Sequence, residues 1–320
     1  MIDLKIAYLI LAHIDPEHIA RLTNKLTRLK DNDVYIHIDK KIDIAPFESL
    51  LKKNKQAFFI NERVALYWGG YSAVTATLHL LRDAFKESVY DRYVLLQGLD
   101  YPLMSNQEII DFFKRNSDIE FVRACKITGA EEKYFSNRCE QFWFFDHRNF
   151  FKRCMNKFSS INPIKIRKGY IEENGKIFDI CWGVAQFALT HNCVKYVLEF
   201  SNSHEKFNQY FKYVFPADET YFHTIIFNSS FATKTCKNGL EARKKGISNW
   251  KNLHYFEYPT VAKIFTHKDF KMLQDLDFMF FRKATTNQST ELLNMIDELH
   301  EIKKEKINEG VTNSYHMRNN

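Results

Sequence analysis

Two acidic residues in succession, Asp218 and Glu219, follow Pro216-Ala217 and stand immediately ahead of the helical run Thr220 to Phe227. Carboxylates in that position do one of two things. They cap the helix, whose dipole favours negative charge at its start, or one of them accepts a proton from a reacting hydroxyl. Other polar groups that could do chemistry close apolar, β-rich runs: His13 after Lys5 to Ala12, Asp39 at the end of Asp33 to Asp39, and Gln97 to Asp100 at the end of Arg92 to Gln97. In a sheet of parallel strands such groups converge on the carboxyl edge, where ligands bind, although polar strand ends occur in any α/β chain.

The remaining motifs are mostly exclusions. No G-x-G-x-x-G, G-x-x-x-x-G-K-[ST] or G-x-S-x-G is present, which disfavours dinucleotide oxidoreductases, P-loop NTPases and α/β-hydrolases. Asp275-Leu276-Asp277 has the D-x-D spacing that many nucleotide-sugar enzymes use for a metal, but it lies in an apolar periodic run rather than after a strand and reads as coincidence. The six Cys show no paired spacing and no Cys/His ligand cluster, so they read as reduced core thiols without zinc. The net charge of +7 suits a phosphate-bearing substrate or an anionic membrane surface. In the segment from about 126 to 180, Arg138, Arg148, Arg153, Lys157, Lys165, Arg167 and Lys168 interleave with Trp143, Phe144, Phe145, Phe150 and Phe151. That pattern can bind nucleic acid, but no RNP, KH or helix-turn-helix signature accompanies it. An insertion facing an anionic or sugar substrate explains it equally, with Arg138 a candidate acceptor contact.

These residues need elements to hold them. Asp15-Pro16-Glu17 opens a helix with Ile19, Leu22, Leu26 and Leu29 at helical spacing. A second helix runs from Tyr71 to Phe85, and Ser105 to Glu108 is a capping box starting a third. Ile119 to Cys125 is predicted as a strand, and Cys181 to Leu189 as an apolar run. Further helices are expected over Asn192 to Phe200 and from Ser289, with Leu253 to Phe256 as a strand. Strands alternating with crossover helices predict an α/β fold, a mostly parallel central sheet with helices on both faces.

Several motifs, in order, resemble the core-2/I-branching family of β-1,6-N-acetylglucosaminyltransferases and peptide O-xylosyltransferases. They are AYLILAH (Ala7 to His13), YIHIDKK (Tyr35 to Lys41), WGGYSA (Trp68 to Ala73), QGLDYP (Gln97 to Pro102) with Ser105 to Glu108, PADE (Pro216 to Glu219) and Phe281-Arg282-Lys283. The segment 126–180 matches poorly. The resemblance implies a GT-A-like fold and an inverting, UDP-sugar-dependent transferase with no cofactor and no obligatory metal. It implies Glu219 as the general base, with Asp218 beside it. It places His13, Asp39, Tyr71 (or Tyr67) and Asp100 on the donor, and Lys283, assisted by Arg282, on the diphosphate. Thr260 stands where animal members carry an Arg, so Lys263 is the substitute candidate. Trp182, Gly183 and Tyr255 align with acceptor positions. Trp182 could stack on a sugar or belong to the core.

The expected organisation is one catalytic domain over 1–300, followed by a charged helix end and tail over 301–320. Within the domain, 1–125 is the nucleotide-binding half, 126–180 the variable insertion and 181–300 the acceptor and catalytic half. The expected partners are a UDP-sugar and a glycan or lipid-linked oligosaccharide acceptor, with peripheral contact to an anionic membrane and no nucleic acid. No signal peptide or spanning segment is read at the start, so a bacterial, cytoplasmic protein, peripheral on the inner membrane, is the expectation. The alternatives are a non-catalytic sugar- or nucleotide-binding module on the same fold and a nucleic-acid-binding protein.

Overall fold

The computed structural model describes residues 4–146, 154 and 167–316, with side chains through Lys303. Of the basic-aromatic segment, Arg148, Phe150, Phe151, Arg153, Lys157 and Lys165 lie outside the described residues.

Four near-continuous apolar runs become parallel strands: β1 (Ile6–Ala12), β2 (Asn32–Ile38), β3 (Ala57–Phe59) and β4 (Arg92–Gln97). A later strand, β10 (Ala188–Thr190), adds antiparallel to β4, giving the order β10-β4-β1-β2-β3. Alternate side chains feed two cores, one on each face, as expected of strands buried on both sides. Ala7 and Leu9 of β1 join Tyr93 and Leu95 of β4 on one face. Ile6, Tyr8 and Ile10 join Val94 and Leu96 on the other.

Helices cover both faces. The first core takes Val74, Leu78 and Leu81 of α3 (Tyr71–Glu87), Val194 and Val197 of α6 (His191–Ser203), and Phe222 and Ile225 of α8 (Tyr221–Phe227). The second takes Ile19, Leu22 and Leu26 of α1 (Pro16–Leu26), Ile109 and Phe113 of α4 (Asn106–Arg115), and Leu292 and Ile296 of α10 (Thr286–His316). The sequence signals for these helices are built as read. Asp15 caps α1 by accepting from the His18 amide, with Pro16 in the first turn. Ser105 and Glu108 form the reciprocal capping box of α4.

A second, three-stranded sheet brings distant parts of the chain together. In it, β12 (Phe280–Arg282) lies between β11 (His254–Phe256), parallel to it, and β5 (Asp100–Pro102), antiparallel. Three expectations need correction. Ile119 to Cys125 is no continuous strand: Glu120 bridges to Thr235 while Phe121 bridges to Ala188, so the run divides between two partners before β6 (Cys125–Lys126). The run Cys181 to Leu189 splits into β9 (Cys181–Trp182), paired with β6, and β10. The terminal helix starts at Thr286, ahead of Ser289, and its backbone continues to His316. Within the middle segment, α5 (Lys133–Glu140) sends Phe135 and Cys139 into the first core. The Cys residues carry free thiols; four are buried, and Cys154 is exposed. No described helix is long and apolar enough to cross a membrane.

Candidate active site

The turn that carries the two carboxylates, Phe215 to Thr220, is held from several sides. The Phe215 amide donates to the Arg138 carbonyl at 3.2 Å, and the Ala217 amide to the Gly69 carbonyl at 3.2 Å. The Gly183 amide donates to the Glu219 carbonyl at 3.0 Å. Two glycines make these approaches possible. Gly69 has φ +74°, and a Cβ there would lie 2.3 Å from the Phe215 ring; one on Gly183 would lie 2.0 Å from the Arg123 carbonyl oxygen.

Within this frame the Trp182 indole N–H donates to Glu219 Oε2 at 2.9 Å. The Trp182 ring is fully buried and packs edge-on against Trp250, Phe135 and Tyr134, and the Arg138 guanidinium sits 4.7 Å from its centroid. Of the two readings of Trp182, the core one holds: no face is open to stack on a sugar, and its contribution to the site is the N–H. Desolvation by the surrounding protein raises Glu219, and the neighbouring Asp218 raises it further, against the Trp182 bond and the Arg138 charge. Burial likewise raises Asp218, against amide bonds from Asp218 and Glu219 themselves and the charge of Arg282. Two like carboxylates cannot both ionise freely at such proximity, so the pair keeps a proton well above the ordinary carboxylate range.

The second group of residues gathers at the carboxyl edge of the parallel sheet. His13 follows β1, and burial lowers its imidazole; Asp39 opposes that, while Arg282, Lys283 and Lys41 add to it. Asp39 follows β2 and is buried, its Oδ1 accepting from the amides of Lys41 and Leu66 and its Oδ2 pairing with the Lys41 ammonium at 2.7 Å. Burial alone would raise the Asp39 carboxyl; the Lys41 ammonium and those amides hold it below its usual value. The Lys41 ammonium also lies 4.5 Å from the Tyr67 ring centroid. Tyr71, at the start of α3, packs edge-on against Tyr221 at 5.8 Å.

Asp100, expected to touch the donor, is fully buried beneath this edge and has no free oxygen. Its Oδ2 accepts from the Gln97 amide at 2.7 Å and lies 3.2 Å from His254 Nε2; its Oδ1 pairs with Arg282 Nη1 at 3.1 Å. That ion pair holds the Arg282 guanidinium in place. Burial tends to raise its carboxyl, but His254, Arg282 and the Gln97 amide hold it lower. Lys283 is half-buried, and among the described residues no carboxylate pairs with it. Burial and Arg282 lower its ammonium, with Asp100 opposing.

Two expected residues have their side chains engaged by other groups. The Lys263 ammonium is bound by Glu257 at 3.2 Å and Asp269 at 2.8 Å. Tyr255 donates its hydroxyl to the same Glu257 and packs on Phe265 and Phe278. In β11 it alternates with His254, so it leaves the sheet on the face away from Asp100. Sequence reasoning missed His254, and it named Trp68, Trp143 and Phe145 without foreseeing that they gather with Phe215 beside the acidic turn. Among the described residues no group of three or more His, Cys, Asp or Glu is arranged to hold a metal.

Comparison with known proteins adds an independent observation. Residues 6–274 match the family described as Core-2/I-Branching enzyme. The chain is 24% identical over 259 residues, 77% of its length, to xylosyltransferase 1 of Rattus norvegicus, and 23% identical over 315 residues, 92% of its length, to xylosyltransferase 2 of Homo sapiens. These matches span only 28% and 33% of the two relatives. Among solved structures, S. aureus TarS 1-349 superposes with a TM-score of 0.28 at 13% identity, over 45% of this chain and 43% of that one.

Proposed function

Since the chain belongs to the core-2/I-branching enzyme family, we propose that it is an inverting glycosyltransferase of GT-A-like fold. It moves a sugar such as N-acetylglucosamine or xylose from a UDP-sugar to an acceptor hydroxyl, with Glu219 as the general base. The observation that carries this reading is the Glu219 carboxylate: raised in basicity, held by one N–H donor, and partly open to solvent. A base tuned toward working pH is what attack by a neutral hydroxyl requires.

In this scheme the acceptor oxygen loses its proton to Glu219 and bonds to the anomeric carbon. The bond from that carbon to the UDP oxygen breaks on the opposite side, inverting the configuration. The charge that grows on the leaving diphosphate is met by Lys283, with Arg282 beside it, so a metal is not needed to neutralise it. Asp39 accepts from the uracil N–H or ribose hydroxyls, His13 lines the same edge, and Tyr67 or Tyr71 covers the base. Arg138 and the Gly183 backbone face the acceptor side. Lys263 and Tyr255 belong to the donor and acceptor sides only if their present partners release them. The acceptor is a glycan or lipid-linked oligosaccharide, and the net charge of +7 favours docking on an anionic inner-membrane surface from the cytoplasm.

The test is a donor screen. UDP and one UDP-sugar should raise the melting temperature, and that UDP-sugar should be slowly hydrolysed. Stabilisation by UDP-sugars without hydrolysis or transfer would instead indicate a binding module. Activity should survive EDTA; loss in chelator with recovery in Mn²⁺ would refute the metal-independent scheme.

The pH profile gives a second check. Glu219 must be ionised to accept a proton, so kcat/KM falls as pH drops through its raised pKa. Burial and mutual repulsion raise both carboxyls of the Asp218–Glu219 pair, so the acid limb, which reports the pair, should lie well above the ordinary carboxylate range. Trp182→Phe removes the N–H that favours the ionised form, so the limb should move up by about one pH unit. An unmoved limb would detach Trp182 from the base.

A further inference from the structure

Asp15 does more than cap α1. Its Oδ1 accepts from the His18 amide at 3.1 Å and from the Thr286 hydroxyl at 2.5 Å, while its Oδ2 accepts from the Thr286 amide at 2.7 Å. One carboxylate thus joins the loop after β1 to the first residue of α10, 271 positions away in the chain. Its own backbone is left-handed, φ +59° and ψ +67°, a conformation that Asp tolerates better than most residues.

What the bridge joins gives it meaning. His13 lies two residues before Asp15, and Lys283 three before Thr286. The start of α10 does not need Asp15 as a cap, because Thr285 Oγ1 already accepts from the Gln288 amide and Ser289 Oγ from the Thr285 amide. The rest of the Lys283 segment is pinned on its other sides. The Lys283 amide donates to the Lys263 carbonyl, the Lys283 carbonyl accepts from the Phe265 amide, and the Ala284 amide donates to the Leu99 carbonyl. Among the described residues, the hydrogen bonds from this segment to the loop that carries His13 are those of the Asp15 bridge.

We propose that Asp15 is a positioning residue for the donor diphosphate: its carboxylate sets the distance between the His13 loop and Lys283 and so fixes the mouth into which the nucleoside diphosphate fits. This rests on the reading of His13 and Lys283 as donor-binding groups. The bonds are charge-assisted and link two otherwise separate loops, so their loss acts on the binding of the diphosphate rather than on proton removal by Glu219.

The experiment measures UDP affinity by calorimetry and melting temperature for Asp15→Ala, Asp15→Asn and Ser105→Ala. Ser105→Ala is the control, since it removes a helix cap of comparable worth at α4, away from the site. Asp15→Ala should weaken UDP binding roughly tenfold, the scale of one or two lost hydrogen bonds to a charged group. Asp15→Asn should recover part of that, and Ser105→Ala should lower the melting temperature without changing UDP affinity. In a Lys283→Ala background Asp15→Ala should cost no further affinity, the non-additivity expected of coupled residues. Equal UDP affinity in Asp15→Ala and wild type, equal losses in Asp15→Ala and Ser105→Ala, or full additivity with Lys283→Ala would each overturn the proposal. If wild type does not bind UDP, it is the functional reading itself that fails.

Discussion

Replacing Glu219 by Gln lowers kcat by about two to four orders of magnitude, the usual contribution of a positioned general base, and leaves UDP binding near wild type. The substitution keeps the shape and an oxygen to accept the Trp182 N–H, so the turn between Phe215 and Thr220 should hold its three backbone anchors. What disappears is the ability to take a proton. The neighbouring carboxylate supplies the internal comparison. Asp218 raises Glu219 by like charge, and its own oxygens accept from the turn's amides. Asp218→Asn should therefore shift the acid limb of kcat/KM to lower pH, with a much smaller loss at the plateau. Near-wild-type turnover in Glu219→Gln, measured under single-turnover conditions, would remove Glu219 from the mechanism.

Lys283→Ala should lower kcat/KM by about a hundredfold, the order lost when one donor to a developing oxyanion is deleted, and should weaken UDP binding as well. The loss in kcat reports charge that grows as the diphosphate departs. Lys283→Arg should recover only part of it, because a planar fork does not reproduce a compact ammonium. The melting temperature should barely move, since among the described residues Lys283 has no carboxylate partner to abandon. Arg282→Ala should cost less in kcat/KM and much more in stability. It leaves fully buried Asp100 without its guanidinium, and breaking such a pair costs on the order of 3–5 kcal/mol of stability. Comparable loss of UDP affinity and of stability in both alanine variants would mean that Lys283 is part of the scaffold rather than a phosphate ligand.

How far the sequence led depended on whether a feature is local. Helix starts are written in a few adjacent residues, and Asp15-Pro16 and the Ser105/Glu108 box are built as they read. The parallel sheet was legible because buried strands are apolar throughout, and that fixed His13 and Asp39 on one edge without any knowledge of side-chain contacts. Partnerships across long separations were not legible. Asp100 ends a strand and looks available to a ligand, yet its oxygens are claimed by Gln97, His254 and Arg282. Lys263 looks like a spare cation until Glu257 and Asp269 are folded against it. Trp182 could have faced a sugar; only packing shows the ring enclosed and the N–H turned to Glu219. Ile119 to Cys125 has strand composition, but two competing partners break its ladder.

The small sheet of β5, β11 and β12 also sets an order in time. Asp100 and Arg282 are 182 positions apart, so nearly the whole domain must be synthesised before the pair can close. A nascent chain that has made β1 to β5 has four of the five strands of the large sheet but carries Asp100 without Arg282 and His254 in a site destined to be dry, which disfavours closing that region early. The loop-closure entropy of so distant a contact must be met before the contact gives anything back. The contact between Asp100 and Arg282 therefore forms late, once β12 lies between β5 and β11. A chain ending ahead of Phe280 would keep the five strands of the large sheet and leave Asp100 buried without Arg282.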